Sequence, residues 1–337
     1  MTATLGCNYS PSNPPIGPAS ARSVGQTLAR RLRLDSGLGL GAWTSIQLLT
    51  IFDPEFRVIS EWFRMFSSNI SKSEIQKNIN EFRTLVRKGI SDVGCHEAFG
   101  SIFRSTFTIP CLLKSYAPDT LFFRARPLSV DTTMSPYHDM SNIADAWEPP
   151  KNYVKAQGRL NAVSESVLYC CPGNPQLAID EARARNCNRV AIMVYRSKKQ
   201  ITNSVIGNSQ EDGLQQNDFT KIFFEFVEEE FSRDIPIGQE DIYSISRMIA
   251  QDYFRYPKQD AWCYRSVQSN ELFNLAFLPN RAQECLDLVG VLICDPSTPK
   301  AGPLLIKDVV EFDPATGRAI YHKVGSVGQK KLFPDIS

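Results

Sequence analysis

The spacing of apolar residues changes near Leu121, and this change constrains the fold more than any other feature of the chain. From about residue 21 to 115, apolar residues recur at the three- and four-residue spacing of helices. In the charged segment 71–87 they share one helix face: Ile75, Ile79, Phe82 and Leu85. We therefore predict helices in this first part of the chain.

Beyond Leu121 the sequence predicts strands with helices inserted between them. Short apolar runs occur at 121–124, 166–169, 189–195, 288–293 and 304–310. Helical patterns separate them at 176–186, 219–232 and 243–253. This order predicts an α+β domain from about residue 118 to 325, with a mixed or antiparallel sheet at its centre.

The flanking segments complete the predicted organisation. Prolines among serines predict a flexible tail over residues 1–20, a helical subdomain spans 21–117, and residues 326–337 form a C-terminal tail. The helical subdomain must bury its apolar faces, so it is expected to pack on the α+β domain without adding catalytic residues. Covering the functional cleft and forming a homo-oligomer are alternative uses of those faces.

Composition and charge exclude several classes of protein. The chain has 337 residues and a formal net charge of +1, which does not favour direct binding of nucleic acid or an anionic membrane. The N-terminus lacks an apolar core of the signal-peptide type, and no apolar stretch is long enough for a membrane span. The cysteines form no C-x-x-C pair and mostly lie in apolar runs, as expected of thiols in the reducing cytoplasm. The histidines are far apart in sequence, so no metal site is expected.

Candidate functional residues occur in four short blocks, of which the first contains two arginines. Arg124 and Arg126 alternate with apolar residues along an apparent strand, so their side chains share a face. The planar guanidinium group suits a pyrophosphate. An internal ion pair with carboxylates explains this block, taken alone, equally well.

The second block is Gly-Arg-Leu-Asn at 158–161. Its glycine permits a tight turn, and Arg159 and Asn161 point the same way if the segment is extended. The third block places Asp180 and Glu181 early in a helix that begins near residue 175. Neighbours on a helix point in different directions, so either one carboxylate faces inward and the other outward, or both are solvated.

The fourth block runs from Tyr264 to Ala276 and contains Ser266 and Asn274. A serine in the wall of a cleft can orient a ribose hydroxyl or an attacking group. Neither a G-x-S-x-G turn nor a nearby histidine accompanies it, which disfavours acyl transfer. Elsewhere, the acidic run 228–230 is expected on a solvated helix face.

In order and type, the four blocks resemble the RES domain family, which is named for its arginine, glutamate and serine. Its members carry Arg-x-Arg, then Gly-Arg-Phe/Leu-Asn, a Leu-Tyr strand leading into an Ala-x-x-Glu helix, and Tyr-x-Ser-Val followed by Asn-Leu-Ala. Arg124, Glu181 and Ser266 fall on the name-giving positions. The supporting positions of the motif are Arg126, Arg159, Asn161 and Asn274.

The resemblance covers about half the chain, residues 121–280, and departs from the family pattern at two positions. Ser164 stands where a glycine is common, and Asp260-Ala261 replaces the usual Asp-Gly. Both positions are expected in loops, so they affect the backbone geometry more than the chemistry.

The resemblance implies an ADP-ribosyltransferase-like fold and an enzyme whose substrate is NAD. The reaction would be phosphorolysis with inorganic phosphate, or hydrolysis, or transfer of ADP-ribose to a protein, without a metal. Glu181, Ser266 and Arg124 would be catalytic. The dinucleotide would be held by Arg124, Arg126, Arg159, Asn161 and Asn274. A growth-arresting toxin with a Xre-type helix-turn-helix antitoxin as partner is also implied.

Two rival interpretations come from other classes of protein. One is a non-catalytic module that binds a nucleotide or a partner, which is distinguished by whether Glu181 faces the same cleft as Arg124. The other is a glycosidase, which is disfavoured because no second carboxylate pairs with Glu181.

Overall fold

The structure, a computed structural model, describes residues 70–102, 112–129, 137–207, 218–233, 242–256, 258–269, 271–296 and 304–336. These residues form a mixed α+β fold around a 10-stranded sheet. The predicted tail 1–20 and the first part of the predicted helical subdomain, 21–69, lie outside the described residues.

Helices and strands follow one another as the predicted α+β class requires. The strands are β1 (Leu112–Tyr116), β2 (Leu121–Pro127), β3 (Tyr169–Pro172), β4 (Val190–Ser197), β5 (Ile201–Ile206), β6 (Ala261–Arg265), β7 (Phe273–Phe277), β8 (Leu286–Asp295), β9 (Leu305–Phe312) and β10 (Ala319–Lys323). The helices are α1 (Lys72–Arg87), α2 (Asp92–Ile102), α3 (Pro175–Glu181), α4 (Asp218–Ser232), α5 (Tyr243–Met248), α6 (Ala282–Cys285) and α7 (Val327–Leu332). A π-helical turn, Ile249–Tyr253, continues α5.

Helix α1 shows how the local sequence sets an element. The side chain of Ser71 accepts a hydrogen bond from the backbone N–H of Glu74 and so caps the first turn. Ile75, Ile79 and Phe82 are buried as predicted, whereas Leu85 is 42% exposed. The buried face contacts two further aromatic residues, with the Phe82 ring centroid 5.8 Å from that of Phe99 and 6.0 Å from that of Phe226.

The sheet has the strand order β1-β5-β6-β7-β3-β2-β4-β8-β9-β10. Neighbouring strands are antiparallel except β5 and β6, which run parallel. Strand β1 falls inside the segment that was predicted to be helical. That prediction was wrong for residues 112–116, because backbone pairing with β5 overrides a weak local pattern.

Strand β3 joins the two halves of the sheet. Its first two residues, Tyr169 and Cys170, pair with β7, whereas Cys171 and Pro172 pair with β2. The four-residue strand therefore has a different partner at each end. We call this place the strand junction.

The buried residues explain why the junction is held from both sides. Helices α1, α2, α4 and α5 share a core with Trp262 and Tyr264 of β6. Helix α3 packs through Leu177, Ala178 and Ile179 on the half-sheet that contains β2, β4 and β8. Most of the described cysteines are buried, as predicted for small core residues: Cys95, Cys170, Cys171, Cys263, Cys285 and Cys294.

The C-terminal segment, which was predicted to be a tail from residue 326, contains a short helix. Ser326 caps α7 by accepting the N–H of Gln329, and the buried Gln329 amide donates to the carbonyls of Phe333 and Ile336. These bonds fold the end of the chain back on the core. No helix within the described ranges has the length and apolar character that a membrane crossing requires.

Candidate functional site

A cavity of about 460 Å³ lies at the strand junction. Its walls come from β2, β3, β6, β7, the end of α3, the start of α5, and the loops at 158–161 and 267–268. The volume falls within the range of roughly 300–1,000 Å³ that is usual for small-molecule sites. Five of the predicted site residues line it: Arg124, Arg159, Asn161, Glu181 and Asn274.

Glu181 is the last residue of α3, and the helix aims it into this cavity. Asn174 caps α3 and Pro175 occupies its first position, which sets where the helix begins. The neighbouring carboxylate of Asp180 instead accepts a hydrogen bond of 2.6 Å from Arg185. The two carboxylates therefore face different surroundings, and only Glu181 is available to a ligand in the cavity.

Ser266 lies behind Glu181 and does not line the cavity. Its hydroxyl donates to Oε1 of Glu181 and accepts the backbone N–H of Gln268 at 3.0 Å. The serine is 2% exposed. This position differs from the expected contact with a ribose or an acceptor, since Ser266 acts on the carboxylate and reaches a ligand only through it.

The two arginines of β2 share a face but have different surroundings. Arg124 lines the cavity and donates to the carbonyl of Trp147. Arg126 lies outside the cavity wall and donates to the carbonyl of Asp145 at 3.3 Å. Both therefore hold the same connecting segment in place, and of the two only Arg124 lines the cavity.

Arg159 donates hydrogen bonds to the C-terminal end of α4. Its Nη1 donates to the carbonyls of Phe231 and Glu230, and its Nη2 donates to that of Arg233 at 3.0 Å. The last carbonyls of a helix have no partner within the helix, so a cation placed there satisfies them. The guanidinium carbon also lies 5.2 Å from the ring centroid of Tyr243. Arg159 thus anchors a helix end at the edge of the cavity.

The loop 158–161 is closed rather than extended. The N–H of Gly158 donates to the carbonyl of Asn161 at 2.9 Å, and the Asn161 side chain accepts the hydroxyl of Tyr169 at 2.8 Å. A Cβ atom on residue 158 would overlap the side-chain oxygen of Asn161. The glycine of this motif is therefore required by the approach of Asn161.

Replacing Gly158 by alanine is expected to lower the free energy of unfolding by about 1–3 kcal/mol, the usual cost of overpacking. The buried Asn161 side chain has to move, which breaks its bond to Tyr169. Urea denaturation measures the change. Gly100→Ala in α2 is the matched control, because its added methyl group meets open space and suits a helix. Equal stability of Gly158→Ala and the parent would contradict the clash.

The two departures from the family pattern have distinct structural settings. Ser164 has a φ of 61°, a left-handed conformation that glycine adopts more readily than other residues. Asp260 is 3% exposed and accepts hydrogen bonds from Lys199, Arg281 and the N–H of Thr202. Burial alone would raise its pKa, but the bonds from Lys199 and Thr202 outweigh that effect and hold the pKa below its ordinary value. Asp260 is thus a structural carboxylate.

The cavity also contains residues that the sequence did not single out as site residues. Tyr243 and Tyr264 line it beside Arg159, and Cys171 donates to the side-chain oxygen of Asn274 at 3.2 Å. Burial, with the charge of Glu181 as a smaller cause, raises the pKa of the Cys171 thiol well above its usual range. A neutral thiol is a poor nucleophile, so cysteine chemistry is disfavoured here. Tyr264 lies inside a quoted motif, whereas nothing in the local sequence marks Tyr243.

The polar side chains of the wall are therefore one carboxylate, three arginines, three amides, two thiols and three phenolic rings. Among the described residues, no group of three or more His, Cys, Asp and Glu side chains is arranged to hold a metal ion. Comparison with protein-family models, with curated proteins and with solved structures finds no match to this chain.

Proposed function

We propose that this protein consumes NAD by breaking the bond between nicotinamide and ribose, with Glu181 as the catalytic carboxylate. The observation that carries the proposal is that Glu181 and Arg124, from separate parts of the sequence, line one cavity of about 460 Å³. A module that binds a nucleotide without catalysis has no need of a carboxylate held by a buried serine. The proposal includes an ADP-ribosyltransferase-like fold.

The reaction places specific demands on a carboxylate. The bond between ribose C1′ and the nicotinamide nitrogen breaks, its electron pair leaves with nicotinamide, and positive charge develops on the sugar. The oxygen of water or inorganic phosphate then bonds to C1′, and hydrolysis releases one proton to solvent. A carboxylate fixed beside C1′ stabilises the developing charge, and Ser266 holds Glu181 in one orientation for that purpose.

The other residues that line the first cavity would bind the substrate. The guanidinium of Arg124 would pair with the pyrophosphate, because arginine matches phosphate oxygens in geometry and charge. Asn274 and Asn161 offer amide groups to ribose hydroxyls, and the rings of Tyr243 and Tyr264 suit a flat heterocycle. Arg126 does not line the cavity, and we assign it the role of holding the segment 145–147 in place.

Ser266→Ala is expected to lower kcat about tenfold while KM for NAD changes little. The alanine removes the hydroxyl that orients Glu181 but leaves the ligand-facing wall intact. Steady-state rates of nicotinamide release measure both constants. Ser266→Thr keeps the hydroxyl and should restore most of the rate, which a merely structural role would not predict. A rise in KM with unchanged kcat would instead place Ser266 in contact with the substrate.

The direct test of the proposed function is product analysis. Purified protein is incubated with NAD, with and without inorganic phosphate, and nicotinamide and ADP-ribose species are separated by chromatography. Phosphate-dependent formation of ADP-ribose 1-phosphate indicates phosphorolysis, and free ADP-ribose indicates hydrolysis. A third reaction with candidate protein acceptors tests transfer. Intact NAD under all three conditions would favour the binding module.

The biological setting is part of the proposal and rests on the resemblance. A cytoplasmic enzyme that depletes NAD would arrest growth, and a Xre-type helix-turn-helix antitoxin would neutralise it. The buried thiols of the described residues are compatible with a reducing compartment.

A further inference from the structure

A second cavity, of about 580 Å³, lies between α1, α2 and α5. Its described lining includes four arginines, Arg83, Arg87, Arg233 and Arg247, and one carboxylate, Asp252. The whole chain has a formal net charge of only +1. The concentration of positive charge here is therefore a local feature, and we call this cavity the arginine cavity.

Two of the four arginines already have carboxylate partners. Arg83 donates to Glu230 and to Glu229, at 2.7 Å in each case, and Arg233 donates to Glu230 at 2.8 Å. Glu230 is 4% exposed, so the prediction that the acidic run lies on a solvated face was wrong for this residue. The partner of Glu230 is Arg83 of α1, and the local sequence of α4 does not reveal this pairing. The two pairs of Arg83 attach α1 to α4.

The other two arginines are not neutralised within the described part of the chain. The carboxylate of Asp252 lies 3.4 Å from His96, and neither Arg87 nor Arg247 has a carboxylate within ion-pair distance there. The Nε atom of Arg247 is buried and has no hydrogen-bond partner among the described residues. A buried donor without an acceptor is unfavourable, so an anion with free oxygens would stabilise this position.

We propose that the arginine cavity binds the phosphate group of a small molecule. A phosphate carries a charge close to −2 at neutral pH, which matches the two unpaired guanidinium groups. Several oxygens allow it to accept from Arg87 and Arg247 together, whereas a carboxylate offers only two. The inference does not depend on NAD cleavage, because the arginine cavity contains neither Glu181 nor Arg124.

The two cavities share a wall, which leaves two sources for the phosphate. Gln157 and Ser244 line the arginine cavity, and their chain neighbours Gly158 and Tyr243 line the first cavity. Arg159 lines the first cavity and donates a hydrogen bond to the carbonyl of Arg233, which lines the arginine cavity. The phosphate therefore belongs either to the same ligand that occupies the first cavity or to a separate phosphorylated molecule.

Calorimetric titration of the full chain with inorganic pyrophosphate at low ionic strength tests the proposal. We expect binding to the parent protein and a rise in Kd of about tenfold or more in Arg247→Gln and in Arg87→Gln, since each loses a charge-assisted bond. Arg255→Gln is the matched control, an exposed arginine outside both cavities, and should stay within about twofold. If Arg247→Gln fails to fold, Arg87→Gln decides, because Arg87 lies exposed at the end of α1.

A second arm identifies the source. NAD is titrated into Glu181→Gln, with and without Arg247→Gln. Weaker NAD binding in the double variant than in Glu181→Gln assigns the phosphate to the dinucleotide, because Arg247 lines only the arginine cavity, whereas equal NAD binding assigns it to a separate molecule. Either result supports the arginine cavity as a phosphate site. Absence of pyrophosphate binding, or equal affinity in the parent and both variants, overturns it. A protein that binds pyrophosphate and leaves NAD intact would reject only the proposed function.

Discussion

Glu181→Gln is expected to lower the rate of NAD cleavage about 100- to 1,000-fold, the usual loss when one preorganised electrostatic group is removed from an active site. Glutamine keeps the size of the side chain and can still accept the hydroxyl of Ser266, so the fold should be preserved. In the proposed reaction, what disappears is the negative charge beside the developing positive charge on ribose. Nicotinamide release under single-turnover conditions measures the chemical step, and thermal unfolding checks the fold.

The neighbouring carboxylate supplies the comparison for this variant. Asp180→Asn alters a group that pairs with Arg185 away from the cavity, so it should leave the rate within about threefold of the parent. A large loss of rate in Asp180→Asn together with a parent-like Glu181→Gln would reverse the two roles. The pair of variants thus separates a general loss of α3 from a specific loss of the catalytic charge.

Arg159→Met is expected to lower the free energy of unfolding by about 2–4 kcal/mol, more than a residue that only binds substrate. Methionine keeps much of the apolar stem but leaves the carbonyls at the end of α4 without their donor. Hydrogen bonds to a charged group contribute about 1.5–3 kcal/mol each, and the contact with Tyr243 is lost as well. Urea denaturation of the purified variant measures the change.

Arg196→Met is the control for Arg159→Met, because it removes an exposed arginine from β4. Its effect should stay within about 0.5 kcal/mol. If Arg159→Met unfolds like the parent and loses only NAD affinity, the arginine is primarily a ligand-binding residue, as the motif alone predicts. Loss of both would show that one side chain serves the helix end and the substrate.

Local patterns predicted the fold class and several strands, and they failed where tertiary pairing decides. The run at 121–124 became β2 and the run at 189–195 became β4. Strand β5 was missed because Asn203 and Ser204 are both buried, so the strand shows no alternation of apolar and polar residues. The predicted strand at 166–169 appears as β3 at 169–172, where pairing with two different strands fixes its place.

The candidate site was predictable as a set of motifs and less so in its contacts. The order of the blocks named five residues of the first cavity, and the structure brings them together. The sequence blocks could not show that Ser266 lies beneath Glu181, since that contact joins residues 85 positions apart. Helix α3 also ends at Glu181 instead of near residue 186, and Arg183 then adopts a φ of 51°, so the carboxylate sits at a helix end.

The strand junction gives a bound ligand a mechanical role. Arg124 belongs to one half of the sheet and Asn274 to the other, and β3 connects these halves through only two paired residues on each side. A molecule that touches both side chains acts as a cross-link where the backbone supplies few bonds. By mass action, such a ligand stabilises the folded chain by an amount that grows with the logarithm of its concentration above Kd. In the proposed reaction, cleavage of the substrate would therefore also remove a cross-link that supplements the core shared by the two half-sheets.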